Sequence, residues 1–104
     1  MNPPTSHPPL TPDGRYVVIG GRRWRATDPD VPADVGVRLR RHLMAARRGV
    51  ATARRAADPE AERAARDRVQ TAKVALGERG TPWWEQNPGE RSARWRDGLA
   101  ALDV

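Results

Sequence analysis

Apolar residues in the middle of the chain recur at alternating steps of four and three, the spacing of one face of an α-helix. The first series is Val35, Leu39, Leu43, Ala46, Val50, Ala53 and Ala57, and the second is Ala61, Ala65, Val69, Ala72 and Leu76. Between them, Asp58 and Pro59 match an N-cap and a first helical position. We therefore predict two antiparallel helices, residues 35–57 and 60–78, that meet along a narrow, alanine-lined seam.

A β-hairpin is predicted before the helices, in the stretch TPDGRYVVIGGRRWRATDP of residues 11–29. A β-branched run is followed by Gly20 and Gly21, which suit a two-residue turn, and then by a return strand. With this turn, Val17 lies opposite Trp24. One face of the hairpin then carries Val17, Ile19, Trp24 and Ala26. Because a two-stranded hairpin alone is marginally stable, we expect this face to pack on the helices.

The ends of these elements follow from local signals. Five prolines among residues 1–12 predict a disordered or polyproline-like arm. Asp28 or Asp30 is expected to cap the first helix, and Gly80 to end the second. After Gly80, a loop with two adjacent tryptophans leads into a short helix whose apolar face carries Trp95, Leu99 and Leu102.

The predicted fold class is α+β and mostly α. It consists of a β-hairpin packed on an antiparallel helical hairpin, followed by a short C-terminal helix. We divide the chain into the arm, residues 1–12, a central unit of the two hairpins, residues 13–80, and a tryptophan-containing segment, residues 81–104. A length of 104 residues suits one domain.

Charge is concentrated in one part of the chain. The net charge is +6, and residues 31–57 hold seven arginines against one aspartate. The absence of cysteine excludes disulfides and thiolate metal sites. No stretch matches an export signal or a membrane span, so we expect a cytoplasmic protein that does not associate with membranes.

The order TPDGRYVVIGGRRWRATDP, LMAARR, AKVALGERGTPWWE resembles a group of small bacterial proteins, of actinobacterial and proteobacterial type, that often carry the label "biopolymer transporter Tol". The resemblance covers about residues 11–85 and implies a fold pattern, with no activity, cofactor or catalytic residue. TPDGRYVVI is similar to the strand entry of Tol-type β-propeller blades. A propeller needs several four-stranded blades, and this chain has one candidate hairpin, so we do not expect one.

Arginine pairs recur every seven residues along the first predicted helix. At about 100° per residue, Arg40, Arg47 and Arg54 flank the apolar seam, whereas Arg41, Arg48 and Arg55 point away from it. The flanking row is expected to pair with acids of the second helix, with Glu62 best placed. The outward row has three interpretations: a solvated surface, a phosphate-binding surface that also uses Arg22 and Arg23, or a surface for an acidic protein partner.

Four tryptophans are unusual in a chain with no phenylalanine. At least half of them should belong to the core, with Trp24 and one of the adjacent pair covering the seam. Tryptophan is also common at binding hot spots. We therefore place Trp83, Trp84 and Trp95 near a contact with a protein partner or with a second copy in a homodimer.

Catalytic and metal-binding patterns are missing from the sequence. Serine and threonine residues have no triad context, and His7 and His42 lack companions at ligand spacing. We expect no enzyme, no cofactor, no metal and no small-molecule substrate. Two functions remain: an interaction or adaptor protein that binds a partner or itself, and a nucleic-acid-associated protein that uses the arginines of the first helix.

Overall fold

The computed structural model describes residues 9–104, and the first eight residues of the predicted arm lie outside this range. The elements are strands β1 (Tyr16–Ile19) and β2 (Arg22–Arg25), helices α1 (Ala33–Arg55) and α2 (Pro59–Ala75), a 3-10 turn (Trp83–Glu85) and helix α3 (Pro88–Leu102). The two strands form an antiparallel sheet. The predicted α+β, mostly α fold class is confirmed.

Helices α1 and α2 form the predicted helical hairpin. The main cluster of buried apolar side chains comes from the three helices and from Leu76 at the end of α2: Val35, Leu39, Leu43, Ala72, Ala75, Leu76, Leu99 and Leu102. At the far end of the pair the helices approach closely, since a Cβ added to Gly49 would lie 3.3 Å from that of Ala65. Alanine and glycine at the seam therefore bring the backbones together, and the larger buried side chains are leucines that lie in the cluster shared with α3.

The structure confirms one of the predicted helix ends and contradicts two. Asp58 caps α2, because its carboxylate accepts a hydrogen bond from the amide of Ala61 at 3.0 Å. Helix α1 begins after Pro32 and has no side-chain cap, so the prediction that Asp28 or Asp30 caps it is wrong.

The glycine that ends α2 is Gly77, with φ of 82°, and the prediction of Gly80 is wrong. The amides of Gly77 and Glu78 donate to the carbonyls of Val74 and Lys73, the pattern of a Schellman cap. Leu76, the last residue before this glycine, is fully buried. The link between α1 and α2 uses the same geometry with Ala57, whose φ is 53°.

The β-hairpin has the predicted register, with Val17 opposite Trp24 and Ile19 opposite Arg22. Gly20 and Gly21 have φ of 58° and 77°, which a two-residue turn of this type requires. Residues 9–11, from the end of the predicted arm, pair with the outer side of β1.

Helix α3 returns across α2. Asn87 and Glu90 form a capping box around Pro88, which starts the helix. Leu99 and Leu102 are buried as predicted, and Trp95 packs against the same cluster while half-buried. Gly98 lies so close to α2 that a Cβ there would come within 2.5 Å of the Cβ of Ala75.

Candidate binding groove

The predicted apolar face of the β-hairpin borders an open groove. The groove has a volume of about 300 Å³ and is lined by residues of the hairpin, its linker, α1, α2 and the turn after α2: Val17, Ile19, Trp24, Arg25, Ala26, Thr27, Arg47, Lys73, Glu78 and Arg79. Ala26 is the only buried member of the predicted face, whereas Ile19 is 53% exposed and Trp24 is 45% exposed. The prediction that Trp24 belongs to the core is therefore wrong.

The groove continues along the seam of the helical hairpin. A second depression, of about 230 Å³, is lined by Val50 and Val69 together with Arg47, Arg66 and Arg79. Arg47 and Arg79 line both depressions, so the two lie next to each other. We call the whole feature the binding groove. Its apolar surface comes from the hairpin at one end and from two half-buried seam valines at the other.

The lining of the binding groove is basic. It contains five basic side chains (Arg25, Arg47, Arg66, Lys73 and Arg79) and one acidic side chain, Glu78. Glu78 is already neutralised, because it pairs with Lys73 at 2.9 Å and accepts a hydrogen bond from the Thr27 hydroxyl at 2.7 Å. Arg47 forms no ion pair or side-chain hydrogen bond within residues 9–104. The groove therefore carries an excess of positive charge beside exposed apolar side chains.

A buried ionic cluster fixes the linker that joins the hairpin to α1. Asp28 is 1% exposed, and its amide donates to the carbonyl of Leu76 at 2.9 Å. Its carboxylate accepts hydrogen bonds from the guanidinium groups of Arg91 and Arg94 on α3 and from the amide of Asp30. The linker is thereby tied to the end of α2 and to α3.

The titration of Asp28 reflects this cluster. Burial by itself raises the pKa of the carboxyl, but the hydrogen bonds from Arg91, Arg94 and the amide of Asp30 outweigh burial and lower the pKa to about 2. Asp28 also raises the pKa of Arg91. The sequence analysis missed this role, because an aspartate before a proline resembles a helix cap and nothing local connects it to arginines over sixty residues away.

The adjacent tryptophans support the hairpin from its other side. Trp83 is buried, and its indole N–H donates to the carbonyl of Ala26 at 3.0 Å. Trp84 is half-buried, with its ring 5.2 Å from that of Trp83 and 5.7 Å from that of Tyr16. One tryptophan of the pair is thus in the core, as predicted. Trp83 is the only buried one of the four tryptophans, so the prediction that at least half of them belong to the core is wrong. The proposed role of Trp83, Trp84 and Trp95 in a partner contact stays a prediction, and none of the three lines the groove.

The two arginine rows of α1 have different surroundings. In the flanking row, Arg40 donates to the Thr27 hydroxyl at 2.9 Å, Arg47 lines the groove, and Arg54 lies 3.6 Å from Glu62. The predicted pairing with Glu62 is confirmed. In the outward row, Arg41, Arg48 and Arg55 are all exposed.

Exposed apolar side chains accompany the outward row. Val37, 51% exposed, and Met44, 43% exposed, line a shallow surface together with Arg41 and Arg48. Arg22 and Arg23, the other predicted phosphate ligands, lie over the rings of Trp24 and Tyr16 on the hairpin, each at 4.5 Å. The structure therefore does not bring the hairpin arginines and the outward row into one described surface.

The two histidines lie away from the binding groove or outside the described residues. His42 bonds Asp103 at 2.6 Å near the end of α3, outside the groove, and His7 lies outside the described residues. No group of three or more histidine and acidic side chains could hold a metal among the residues described. In the same range, every helix is too short or too polar to cross a bilayer. Comparison of the chain with family models, curated proteins and solved structures finds no match.

Proposed function

We propose that this protein is a small, non-enzymatic cytoplasmic interaction module whose binding groove takes an acidic, amphipathic segment of a protein partner. The observation that supports this is the juxtaposition of half-exposed Trp24 and exposed Ile19 with the guanidinium of Arg47, which has no ion-pair partner in the part of the chain that the structure describes. Tryptophan and arginine are the residue types that contribute most to protein interfaces. Apolar side chains of the segment cover the hydrophobic lining, and its carboxylates lie within the positive potential of the arginines in and beside the groove.

The size of the groove suits a segment better than a folded domain. A volume of about 300 Å³ at the hairpin end is at the lower limit of ligand pockets, enough for a few side chains. Each apolar contact contributes roughly 25 cal/mol per Å² of surface removed from water. Electrostatic complementarity then selects acidic segments and raises their association rate.

A homodimer is a weaker candidate for the same interaction. Leu39 and Leu43, which would form a seam-to-seam dimer interface, are 0% and 4% exposed, because α2 and α3 already cover them. A second copy placed groove to groove would bring two sets of arginines together, which is unfavourable. We therefore favour a partner of opposite charge.

The test uses labelled peptides and fluorescence anisotropy. Two acidic probes of about eight residues contain equal numbers of valine and glutamate: a strand probe in which they alternate and a helix probe in which valines recur at helical spacing. A lysine-for-glutamate and a serine-for-valine version of each are controls. We expect at least one acidic probe to bind wild-type protein, and neither control to do so. Failure of both acidic probes would overturn the proposal.

Two matched variants locate the bound peptide. Arg47→Glu and Arg48→Glu change the net charge equally at adjacent positions, but only Arg47 lines the groove. We expect Arg47→Glu to weaken binding at least ~10-fold and Arg48→Glu to weaken it less than ~3-fold, with Trp24→Ala resembling the former. Equal losses for the two charge reversals would show that net charge, and not the groove, attracts the peptide.

Nucleic-acid binding is the second candidate function. The observation that favours it is the outward row on α1, where Arg41 and Arg48 form no ion pair or side-chain hydrogen bond within residues 9–104. The row extends over roughly 21 Å, enough to follow several phosphates. The test measures duplex DNA and structured RNA binding at increasing salt. The triple change Arg41→Ala, Arg48→Ala, Arg55→Ala should reduce the salt slope by about 1 for each lost phosphate contact, and an unchanged slope would exclude this candidate.

A further inference from the structure

The hairpin uses its backbone hydrogen bonds in a strict alternation. The two-residue turn makes Ile19 and Arg22 a hydrogen-bonded pair. In step with it, the amide of Ala26 donates to the carbonyl of Arg15 at 2.9 Å. Val17 and Trp24 form the hydrogen-bonded pair between these two, whereas the alternate residues Tyr16, Val18, Arg23 and Arg25 direct their N–H and C=O groups away from the partner strand.

On β1 these outward groups are used. The amide of Val18 donates to the carbonyl of Pro9 at 3.0 Å, and the carbonyl of Tyr16 accepts from the amide of Thr11 at 2.9 Å. Leu10 forms a bridge with Val17 in the same register. Residues 9–11 therefore close the outer side of β1.

On β2 the equivalent groups are open. The N–H and C=O groups of Arg23 and Arg25 point away from β1, and among residues 9–104 they make no backbone hydrogen bond. Arg23 is exposed and Arg25 is half-buried. We call these four groups the β2 edge. Trp24, between the two arginines, and Arg25 both line the binding groove.

We propose that the acidic segment binds as an extended strand that adds to the β2 edge and enlarges the sheet. This inference rests on the function proposed above and specifies the conformation of the bound partner. Main-chain hydrogen bonds to Arg23 and Arg25 fix the segment, and its alternate side chains point to opposite faces of the sheet. One set lies beside Trp24 toward the groove, and the other lies beside Arg23 and Arg25.

The side chains of the β2 edge determine which strand can add. Directly opposite like charges on neighbouring strands are destabilising, and opposite charges are stabilising. A second copy of β2, with the sequence RRWR, would place arginines against arginines. An acidic strand would instead pair with them, while an apolar residue covers the exposed ring of Trp24. The edge therefore disfavours self-association and selects alternating apolar and acidic residues.

The test compares backbone-modified versions of the strand probe. In an extended peptide, the amides of alternate residues point to the same side, so N-methylation can remove either of two sets of amide donors. We call these sets the two frames, and only one of them faces the β2 edge. We expect methylation in that frame to weaken binding at least ~10-fold and methylation in the other frame to weaken it less than ~3-fold. Equal effects in the two frames, or binding of the helix probe alone, would overturn the strand addition.

A matched pair of protein variants gives an independent test. Arg23→Ala removes the charge and keeps the amide, whereas Arg23→Pro also removes the outward amide at a position where an edge strand tolerates proline. We expect the proline variant to bind the strand probe at least ~10-fold more weakly than the alanine variant, and equal affinities would count against the edge. Because the methylation frames are compared on wild-type protein, they decide the question if the proline disturbs the hairpin.

The two proposals fail in different ways. If the wild-type protein binds neither acidic probe, the groove itself is not a binding site for such segments. A second outcome is that the wild-type protein binds the strand probe, the Arg47→Glu variant does not, and methylation in either frame weakens binding equally. In that case the groove binds the segment through side chains only. Amide hydrogen exchange adds a direct readout, since strand addition should slow exchange at Arg23 and Arg25 and leave Trp24 unchanged.

Discussion

Helix α3 and the β-hairpin are both attached near the C-terminal end of α2. The attachment of α3 is closed, because its apolar side chains are covered, whereas that of the hairpin is open, because its apolar side chains remain exposed. Helix α3 buries Leu99 and Leu102 and brings Gly98 against Ala75. The two strands of the hairpin, residues 16–25, contribute no buried side chain. The hairpin is held instead through its linker, by Asp28 and by the bond from Trp83 to Ala26, and through surface contacts of Tyr16 with Trp84 and of Arg25 with the carbonyl of Gly80.

The difference does not come from a shortage of apolar residues on the hairpin. Ile19 and Trp24 are large enough to fill a core, and both point toward the groove while remaining about half-exposed. At the closed attachment, the buried charged side chain, Asp28, is paired with arginines. At the open attachment, arginines lie beside uncovered apolar surface. The following predictions test whether the two attachments differ energetically as they do geometrically.

Asp28→Ala should have the largest effect. It leaves Arg91 and Arg94 without their main partner, and breaking a buried pair in this way typically costs about 3–5 kcal/mol. Urea unfolding followed by circular dichroism measures the free energy of unfolding. Asp30→Ala is the control, because Asp30 is also an ion-pair partner of Arg91 but its side chain is 59% exposed, so we expect a loss below about 1 kcal/mol. Similar losses would contradict the role of the cluster.

Acid should weaken the same attachment. The folded pKa of Asp28, about 2, lies below the ordinary value of 3.8, so the carboxylate stabilises the fold above pH 4 and this contribution is lost as pH falls toward 2. The expected loss is about 2 kcal/mol. Asp28→Asn should remove this part of the pH dependence. Asp13, whose pKa is lowered by the hydrogen bond from Thr11, titrates in both proteins and cancels in the comparison.

Gly98→Ala should destabilise the closed attachment by about 1–3 kcal/mol, because the new methyl group collides with Ala75. In a solvent-exposed helix the same change would stabilise by up to about 1 kcal/mol. Gly89→Ala serves as the control within α3, since its nearest neighbour would be the Asn87 side-chain oxygen at 3.4 Å. Thermal or urea unfolding of the two variants should give shifts of different size, and equal shifts would show that the contact with α2 is loose.

Trp24→Ala should have the smallest effect on folding, a loss of about 1 kcal/mol or less. The ring is 45% exposed and contacts the guanidinium of Arg22, an interaction of modest strength at an exposed site. A tryptophan in the core would cost about 3–5 kcal/mol on the same change. Urea unfolding separates these values, and a loss in the upper range would mean that the hairpin closes on the helices in solution.

The sequence predicts the features that depend on neighbouring residues. The helical seam follows from spacing, and the register of Val17 and Trp24 follows from a two-residue turn. The sequence places the end of α2 three residues late, because Gly77 and Gly80 are both glycines with positive φ, and only the capping hydrogen bonds at Gly77 and Glu78 identify the end. The apolar pattern of the hairpin predicts a covered face, but it carries no information on what lies opposite that face.

The candidate site was only partly accessible to sequence reasoning. The pattern placed Arg47 beside the seam and left open an acidic partner, but it gave no means of identifying Arg79 and Lys73 as neighbours of the hairpin. The Asp28 cluster joins residues 63 and 66 positions apart, and no periodicity reports such a pairing. Long-range ion pairs and surfaces left open are properties of the assembled fold.

The Asp28 cluster has a consequence for how this protein can change over generations. Because the linker holds the hairpin in place and the strands contribute no buried side chain, we expect substitutions of the groove-side residues of the strands, outside the Gly20–Gly21 turn, to change the folding free energy little. Side chains beside the groove can therefore vary with little loss of stability. Binding specificity and fold stability can then evolve almost independently, because the strands determine the first and the three helices determine the second.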